Sequence, residues 1–204
     1  NLRLTDNIIY NNMKFNKIFC IHRQNDIERE KYVSDLKIKL DYNEFIIVEP
    51  NAQIEDYSSY ICMWSKKIPA RRGVISLYNT NIKLLQKIAK EKLDNVLILE
   101  DDAVLKEKEM KELDKDAWIH FLNIRTWNNR NISCLANYYP KWENTDKLVN
   151  TLNKYKILKK CKHRPFDIEL DYMKKKYDLD FKYSDYFYHP NVLKSTLGNE
   201  SYNL

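Results

Sequence analysis

The sequence predicts an α/β sandwich with a largely parallel central sheet, folded as a single domain. Short apolar runs alternate with amphipathic helical segments along residues 17–125, which is the pattern of parallel strands joined by helices. The chain has 204 residues, a length that suits one hydrophobic core. No internal repeat and no Pro/Gly/Ser-rich linker divides it. We therefore expect one domain over 14–204, preceded by a polar, Asn-rich extension at 1–13.

The first half of the chain carries the clearest strand and helix signals. Apolar runs at 17–21 and 45–48 predict strands, and the spacing of apolar residues predicts one helix at 26–40 and another that begins at 73 and ends in the charged run at 87–92. The run at 96–99 is continuous and apolar, which is typical of a strand buried on both faces of a sheet. Residues 51–72 lack a clean period, so we expect an irregular, mobile segment there.

The second half of the chain is less regular. The same reasoning predicts a charged helix at 106–113, a strand at 118–124, helices at 146–158 and 166–176, and short aromatic strands at 181–189. Between them, residues 127–142 form an aromatic stretch rich in Asn, for which the pattern indicates no regular element.

Glycine content excludes two common ways of binding a nucleotide. Gly73 and Gly198 are the two glycines of the chain, so neither a G-x-G-x-x-G turn nor a glycine-rich phosphate loop is present. A nucleotide would have to be bound by another device.

Charge and cysteine content indicate a protein of the cytoplasm, or of the host cytoplasm if the source is viral. The net charge of +6 comes from interspersed residues rather than a basic cluster, which argues against a nucleic-acid partner. The sequence contains no run of about 18 apolar residues, the length that would predict a membrane span. The four cysteines show no paired spacing and are typical of buried thiols in a reducing compartment.

Three consecutive acidic residues follow the buried run at 96–99. Glu100, Asp101 and Asp102 would lie at the carboxyl end of a strand, where open α/β sheets bind ligands. Their mutual repulsion would be relieved by a divalent cation, and oxygen ligands of this kind suit Mg²⁺ or Mn²⁺. The alternative is a solvated acidic loop that begins the next helix.

Several separated segments resemble family 25 glycosyltransferases and, equally, the small GT-A enzymes encoded by large DNA viruses. The segments are I-H-R-Q-N-D-I-E-R at 21–29, R-G-V-I-S-L-Y at 72–78, N-V-L-I-L-E-D-D-A-V-L at 95–105, R-P-F-D at 164–167 and H-P-N-V-L at 189–193, with Ser201 beyond them. The resemblance implies a GT-A-type, Rossmann-like α/β/α sandwich. It departs from the family at His22-Arg23 and at Leu77-Tyr78, where Asn-Leu and Ser-His are usual.

The resemblance implies a metal site equivalent to the D-x-D motif of such enzymes, holding Mn²⁺ or Mg²⁺. Asp102 would bind the cation directly, while Glu100 and Asp101 would bind it through water or contact the ribose or donor sugar. His189 would return near the C-terminus as a further metal ligand, as histidines do in several GT-A enzymes. Its alternative role is a hydrogen-bonded histidine in an aromatic cluster.

Asp167 is the expected general base that deprotonates the acceptor hydroxyl. It would begin a helix, where a carboxylate also serves as an N-cap. Glu169, Asp171 and Asp185 compete for the role, because acidic residues are frequent in this region.

The donor nucleotide is expected to contact the end of the first strand at Ile21, as the resemblance implies, together with Arg29 and Arg72. Guanidinium groups suit diphosphate oxygens, although surface solvation is the default for any arginine. An acceptor site with rings and amides would be built from Trp127, Asn128, Asn129, Tyr138, Tyr139 and Trp142, and Trp64 would belong to a loop over the donor.

The sequence therefore predicts a metal-dependent, inverting glycosyltransferase. It would move a sugar from a nucleotide-sugar donor, with UDP as the expected nucleotide, to a hydroxyl of a glycan or glycoprotein. One alternative is an inert GT-A-like module that binds nucleotide or glycan within a longer polypeptide, a role that the Leu77-Tyr78 departure keeps open. Another is a metal-dependent phosphoryl- or nucleotidyl-transfer enzyme.

Overall fold

A six-stranded, mainly parallel sheet forms the centre of the protein. The computed structural model describes residues 15–40, 44–50, 72–106, 110–111, 113–123, 126–127, 130–131, 134–159 and 166–190. The strands are β1 (Lys17–Ile21), β2 (Phe45–Val48), β3 (Val96–Glu100), β4 (Val104–Leu105), β5 (Ile119–Phe121), β6 (Thr126–Trp127), β7 (Arg130–Asn131), β8 (Ala136–Tyr139), β9 (Phe181–Tyr183) and β10 (Phe187–Tyr188). The helices are α1 (Ile27–Leu40), α2 (Arg72–Glu91), α3 (Trp142–Lys159) and α4 (Phe166–Tyr177).

The order of strands in the main sheet is β2-β1-β3-β8-β5-β9. Every neighbouring pair is parallel except the two that involve β8, which runs against β3 and β5. Two short ladders lie outside this sheet, β4 with β10 and β6 with β7. The predicted single-domain α/β fold with a mainly parallel sheet is confirmed.

The core lies on both faces of the sheet, and β3 contributes to both. Val96 and Ile98 pack into a cluster with side chains of α2, α3 and α4, while Leu97 and Leu99 pack with α1 on the opposite face. All four side chains are fully buried, as the continuous apolar run predicted. Burial of each side chain stabilises the folded state by about 1.5–3 kcal/mol, so β3 is a stable strand that fixes the position of the residues directly after it.

The predicted charged helix at 106–113 is wrong for the residues described there. Residues 106, 110, 111 and 113 are not helical. The backbone N–H of Lys106 donates instead to the carbonyl of Tyr186, and Met110 and Leu113 are buried in the core. Tertiary packing therefore overrides the local helical preference.

Strand β8 is absent from the sequence prediction although it lies in the middle of the sheet. All four of its residues are buried. Asn137 interrupts what would otherwise be an apolar run, so the stretch resembles a polar loop. The helix predicted from 146 begins earlier, at Trp142, because Asp94 from a distant turn accepts a hydrogen bond from the Trp142 N–H at 2.9 Å and caps this end.

Two remaining expectations concern cysteines and membranes. Cys20 and Cys134 are buried and free, whereas Cys62, Cys161 and the segment 51–71 lie outside the described residues. Among the helices of the described ranges, none is both long and apolar enough to cross a membrane.

Candidate functional site

The acidic residues Glu100–Asp102 form a turn at the carboxyl end of β3. Glu100 is the last residue of the strand, and its carbonyl accepts a hydrogen bond from the Ala103 N–H at 3.1 Å, which closes the turn. The parallel register places Ile21, the last residue of β1, opposite Glu100. Two parallel strands therefore end side by side here, the place where open α/β sheets bind ligands.

Asp101 is held by two groups that follow β1. Arg29, in the first turn of α1, donates through Nη1 to Oδ1 of Asp101. His22, directly after β1, places Nδ1 at 3.1 Å from Oδ2 of the same carboxylate. Both oxygens of Asp101 are therefore engaged within the protein.

Arg29 also bridges to other carboxylates. Its Nη1 lies 3.3 Å from Oδ2 of Asp102, and its Nε lies 3.6 Å from Oδ2 of Asp26. The side chain is only 12% exposed. Arg29 is therefore a mostly buried part of the acidic site rather than a solvated surface arginine.

His189 reaches Asp102 through the short ladder between β4 and β10. In this antiparallel pair Tyr188 lies opposite Val104, so His189 follows next to the acidic turn. Its Nε2 lies 2.9 Å from Oδ2 of Asp102. The structure thus brings together two residues that the sequence prediction assigned to one metal site, although a direct role in metal binding stays a prediction.

The charges at this turn shift pKa values in opposite directions. Burial is the largest single influence on Asp102 and disfavours its charge, but the hydrogen bond from His189 and the charge of Arg29 outweigh it and lower the pKa of Asp102. Burial and the neighbouring carboxylates of Asp102, Asp167 and Asp101 raise the pKa of Glu100 well above its usual range. One arginine therefore does not offset the crowding of negative charge.

Asp167 lies in the first turn of α4, close enough to Glu100 to raise the pKa of that carboxyl. Its Oδ1 accepts a hydrogen bond from the N–H of Ile168 at 2.8 Å. Two competitors for the role of base bind lysines, since Asp171 pairs with Lys175 at 3.0 Å and Asp185 pairs with Lys106. The third, Glu169, is buried within α4.

One buried carboxylate oxygen at the acidic turn is available as a ligand for a divalent cation. Oδ1 of Asp102 is buried and has no hydrogen-bond partner among the described residues. With Glu100 it offers two carboxylates, and Mg²⁺ commonly takes one or two from the protein and completes its shell with phosphate oxygens and water. The described residues contain no group of three or more His, Cys, Asp or Glu side chains arranged to hold a metal. The donor set thus fits a cation that shares its shell with a bound ligand.

The overall fold of the chain is similar to that of a solved glycosyltransferase. The crystal structure of a glycosyltransferase involved in the glycosylation of the major capsid of PBCV-1 aligns with a TM-score of 0.54 at 11% sequence identity, covering 91% of this chain and 98% of that one. The chain has a glycosyltransferase-like fold.

Other comparisons add less to this assignment. A nucleoside-diphosphate-sugar pyrophosphorylase from Vibrio cholerae RC9 aligns at 13% identity over 83% of this chain and 72% of that one, but its TM-score of 0.36 is too low to bear on the fold. No protein-family model matches the sequence, and no curated protein matches it significantly. Membership of family 25 stays a prediction.

The three residues predicted to contact the nucleotide lie in different environments. Arg29 binds the acidic turn, while the side chain of Ile21 is buried in the core, so only its backbone end faces the site. Arg72 begins α2, but its side chain lies outside the described part of the chain. A role for any of them in nucleotide binding stays a prediction.

The predicted aromatic acceptor site is wrong for two of its members. Tyr138 and Tyr139 are buried in β8, and the hydroxyl of Tyr138 donates to Oδ1 of Asn95 at 2.7 Å. Trp142 packs against the core at the start of α3. The side chain of Trp127 and residues 64, 128 and 129 lie outside the described set.

Three polar residues near the site were missed by sequence reasoning. His22 contacts Asp101, and Asp26 lies beside Arg29. Asn123 is buried and donates through Nδ2 to the carbonyl of Phe187 at 2.7 Å, which anchors the strand that leads to His189. The available signal for His22 was its position directly after β1, since ends of adjacent parallel strands meet.

Proposed function

We propose that this protein is a metal-dependent, inverting glycosyltransferase that uses a nucleotide-sugar donor, with UDP as the expected nucleotide. The observation that carries the proposal is the meeting of Asp102 with His189 at the carboxyl end of β3, beside Glu100. The glycosyltransferase-like fold supports it, and so does the position of the acidic turn after two adjacent parallel strands, since open α/β sheets commonly bind ligands at such ends.

In this proposal Asp102 and Glu100 would hold Mn²⁺ or Mg²⁺. When bound, such a cation neutralises the charge that develops on the departing diphosphate. Asp101, oriented by Arg29 and His22, would face the ribose or the donor sugar. Side chains that lie at or after the ends of β1, β3 and β10 would thus hold the donor in a fixed position, which reduces the entropic cost of reaction.

Asp167 would serve as the general base. An oxygen of the acceptor hydroxyl attacks the anomeric carbon of the donor sugar as the bond from that carbon to the diphosphate oxygen breaks. The hydroxyl proton passes to the carboxylate of Asp167, and the electron pair of the broken bond leaves with the diphosphate. A single displacement of this kind inverts the anomeric configuration. The acceptor would be a glycan or glycoprotein hydroxyl.

The test is to incubate the protein with Mn²⁺ and a panel of nucleotide sugars while following thermal stability and slow release of sugar to water. We expect UDP-sugars to raise the melting temperature only when Mn²⁺ is present, because ligands that bind the folded state stabilise it. Failure of every nucleotide to stabilise the protein, with and without metal, would overturn the proposal.

A second candidate function is an inert module that binds nucleotide or glycan. The specific observation in its favour is Tyr78, which stands in a position where the resembled family carries a polar Ser-His pair. Tyr78 is buried against Phe166, with ring centroids 5.7 Å apart, and so belongs to the hydrophobic core. Metal-dependent UDP binding without sugar release, even with acceptors supplied, would favour this module.

A further inference from the structure

Arg29 brings a positive charge into direct contact with the acidic turn. Its guanidinium contacts the carboxylates of Asp101 and Asp102, and its Nε lies 3.6 Å from Oδ2 of Asp26. A guanidinium stays protonated in proteins, so Arg29 carries a permanent positive charge beside these carboxylates.

A divalent cation at the unpaired oxygen of Asp102 would have to bind close to this guanidinium. The oxygen Oδ1 belongs to the same carboxylate whose Oδ2 lies 3.3 Å from Nη1 of Arg29. Like charges at such range repel strongly even at the effective dielectric constant of about 20 that describes protein sites. Arg29 also holds Oδ1 of Asp101, which removes that oxygen from the ligands on offer.

We propose that Arg29 is an internal counter-cation that competes with the metal ion for the Glu100–Asp102 turn. It keeps the acidic turn in place without metal, and it weakens the binding of a divalent cation to the protein alone. This inference rests on the proposed function, because it assumes that the turn is a cation site. Its consequence is that the cation binds tightly only together with a diphosphate, whose oxygens supply ligands that the turn lacks.

The direction of the effect separates competition from a purely structural role. If Arg29 only ordered the turn, its replacement would weaken metal binding, whereas a competitor predicts that replacement strengthens it. We expect Arg29→Gln to lower the dissociation constant for Mn²⁺ by about tenfold, a cautious value because solvent screens part of the repulsion.

The experiment is a titration of the nucleotide-free protein with Mn²⁺ alone, followed by the electron paramagnetic resonance signal of the free ion. Arg23→Gln is the matched control, because Arg23 is exposed on the connection between β1 and α1 and its loss changes the net charge equally. Arg29→Lys keeps the charge and should stay within about twofold of wild type. Arg29→Met, with a long apolar stem, is a second neutral variant should Arg29→Gln fail to fold.

Tighter Mn²⁺ binding in the neutral Arg29 variants alone would support the proposal. Unchanged or weaker binding in folded neutral variants would overturn it, as would equal tightening in Arg23→Gln or Arg29→Lys. Absence of Mn²⁺ binding in every protein would overturn it as well. None of these outcomes by itself decides the proposed function, since binding of nucleotide sugars and sugar release are measured separately.

Discussion

Replacement of Asp102 by Asn removes one charge from the acidic turn while keeping the size of the side chain. In the structure Oδ2 of Asp102 lies 2.9 Å from His189 and 3.3 Å from Arg29. Removing one partner of a buried ion pair typically costs about 3–5 kcal/mol, because the other charge is left unpaired. Here Arg29 retains its contacts with Asp101 and Asp26.

The net cost to stability should therefore be small. Neutral Asn also removes one of the carboxylate charges that, together with burial, raise the pKa of Glu100. We expect the free energy of unfolding to change by only about 1 kcal/mol. Turnover that depends on Mn²⁺ should fall by about 100-fold or more, the size of effect seen when one fixed charge-stabilising group is lost from an active site.

Urea unfolding would measure the stability of Asp102→Asn, and metal-dependent sugar release would measure its activity. Asp35→Asn is the control, because Asp35 is exposed on α1 and its loss changes the net charge equally. Wild-type turnover in Asp102→Asn would remove Asp102 from the proposed site. A stability loss above about 3 kcal/mol would show that Arg29 depends on Asp102 alone, contrary to the contacts described.

Three further predictions follow from other contacts. Asp167→Asn should keep Mn²⁺-dependent binding of UDP-sugar but lower the rate constant of transfer by about 100-fold or more, because only the base is lost; rapid-quench kinetics would measure it. Asn123→Ala should lower the free energy of unfolding by about 1–3 kcal/mol and weaken Mn²⁺ binding, because it frees the strand that carries His189. Burial lowers the pKa of His120, reinforced by a nearby lysine and opposed by Asp114. As the pH falls, the imidazole of His120 is therefore protonated in the unfolded chain before it is protonated in the folded one. The stability that depends on neutral, buried His120 is complete above about pH 6.5 and is lost as the pH falls below that value. His120→Gln should flatten that part of the stability profile, measured by urea unfolding between pH 8 and 5.

Each of these predictions has a control and a contrary outcome. Asp35→Asn also serves for Asp167→Asn, and an unchanged transfer rate would return the role of base to Glu169, Asp171 or Asp185. Asn144→Ala removes side-chain hydrogen bonds that α3 donates to the carbonyls of Asp116 and Ala117, and equal effects on Mn²⁺ binding in both Asn variants would refute the anchoring role of Asn123. Parallel pH profiles for wild type and His120→Gln would contradict the burial argument.

The sheet was predictable from sequence where burial leaves a simple pattern. The run from Val96 to Leu99 is buried on both faces, and its continuous apolar pattern places Glu100 at the end of a strand. Strand β8 was missed because Asn137 interrupts its apolar pattern, although the position is fully buried. In β8, a fully buried polar side chain therefore hides the strand from its local pattern.

The candidate site was predictable in its parts but not in its contacts. The acidic residues follow from their position after β3, whereas the pairing of His189 with Asp102 depends on the register between β4 and β10. That register is fixed by long-range packing, including the hydrogen bond from Asn123. The binding of Arg29 to Asp101 likewise depends on the close approach of α1 to β3, which no local spacing encodes.

The ladder between β4 and β10 also affects when the site can form during synthesis. Contacts between β1, β2 and β3 can form soon after residue 100 has emerged from the ribosome, because these strands are contributed by the first half of the chain. Asp102 meets His189 only after nearly the whole described chain has been made. Closure of so long a loop is slow and entropically costly. The acidic turn therefore gains its histidine in one of the last steps of folding, and a nascent chain that stops before β10 would carry an incomplete site.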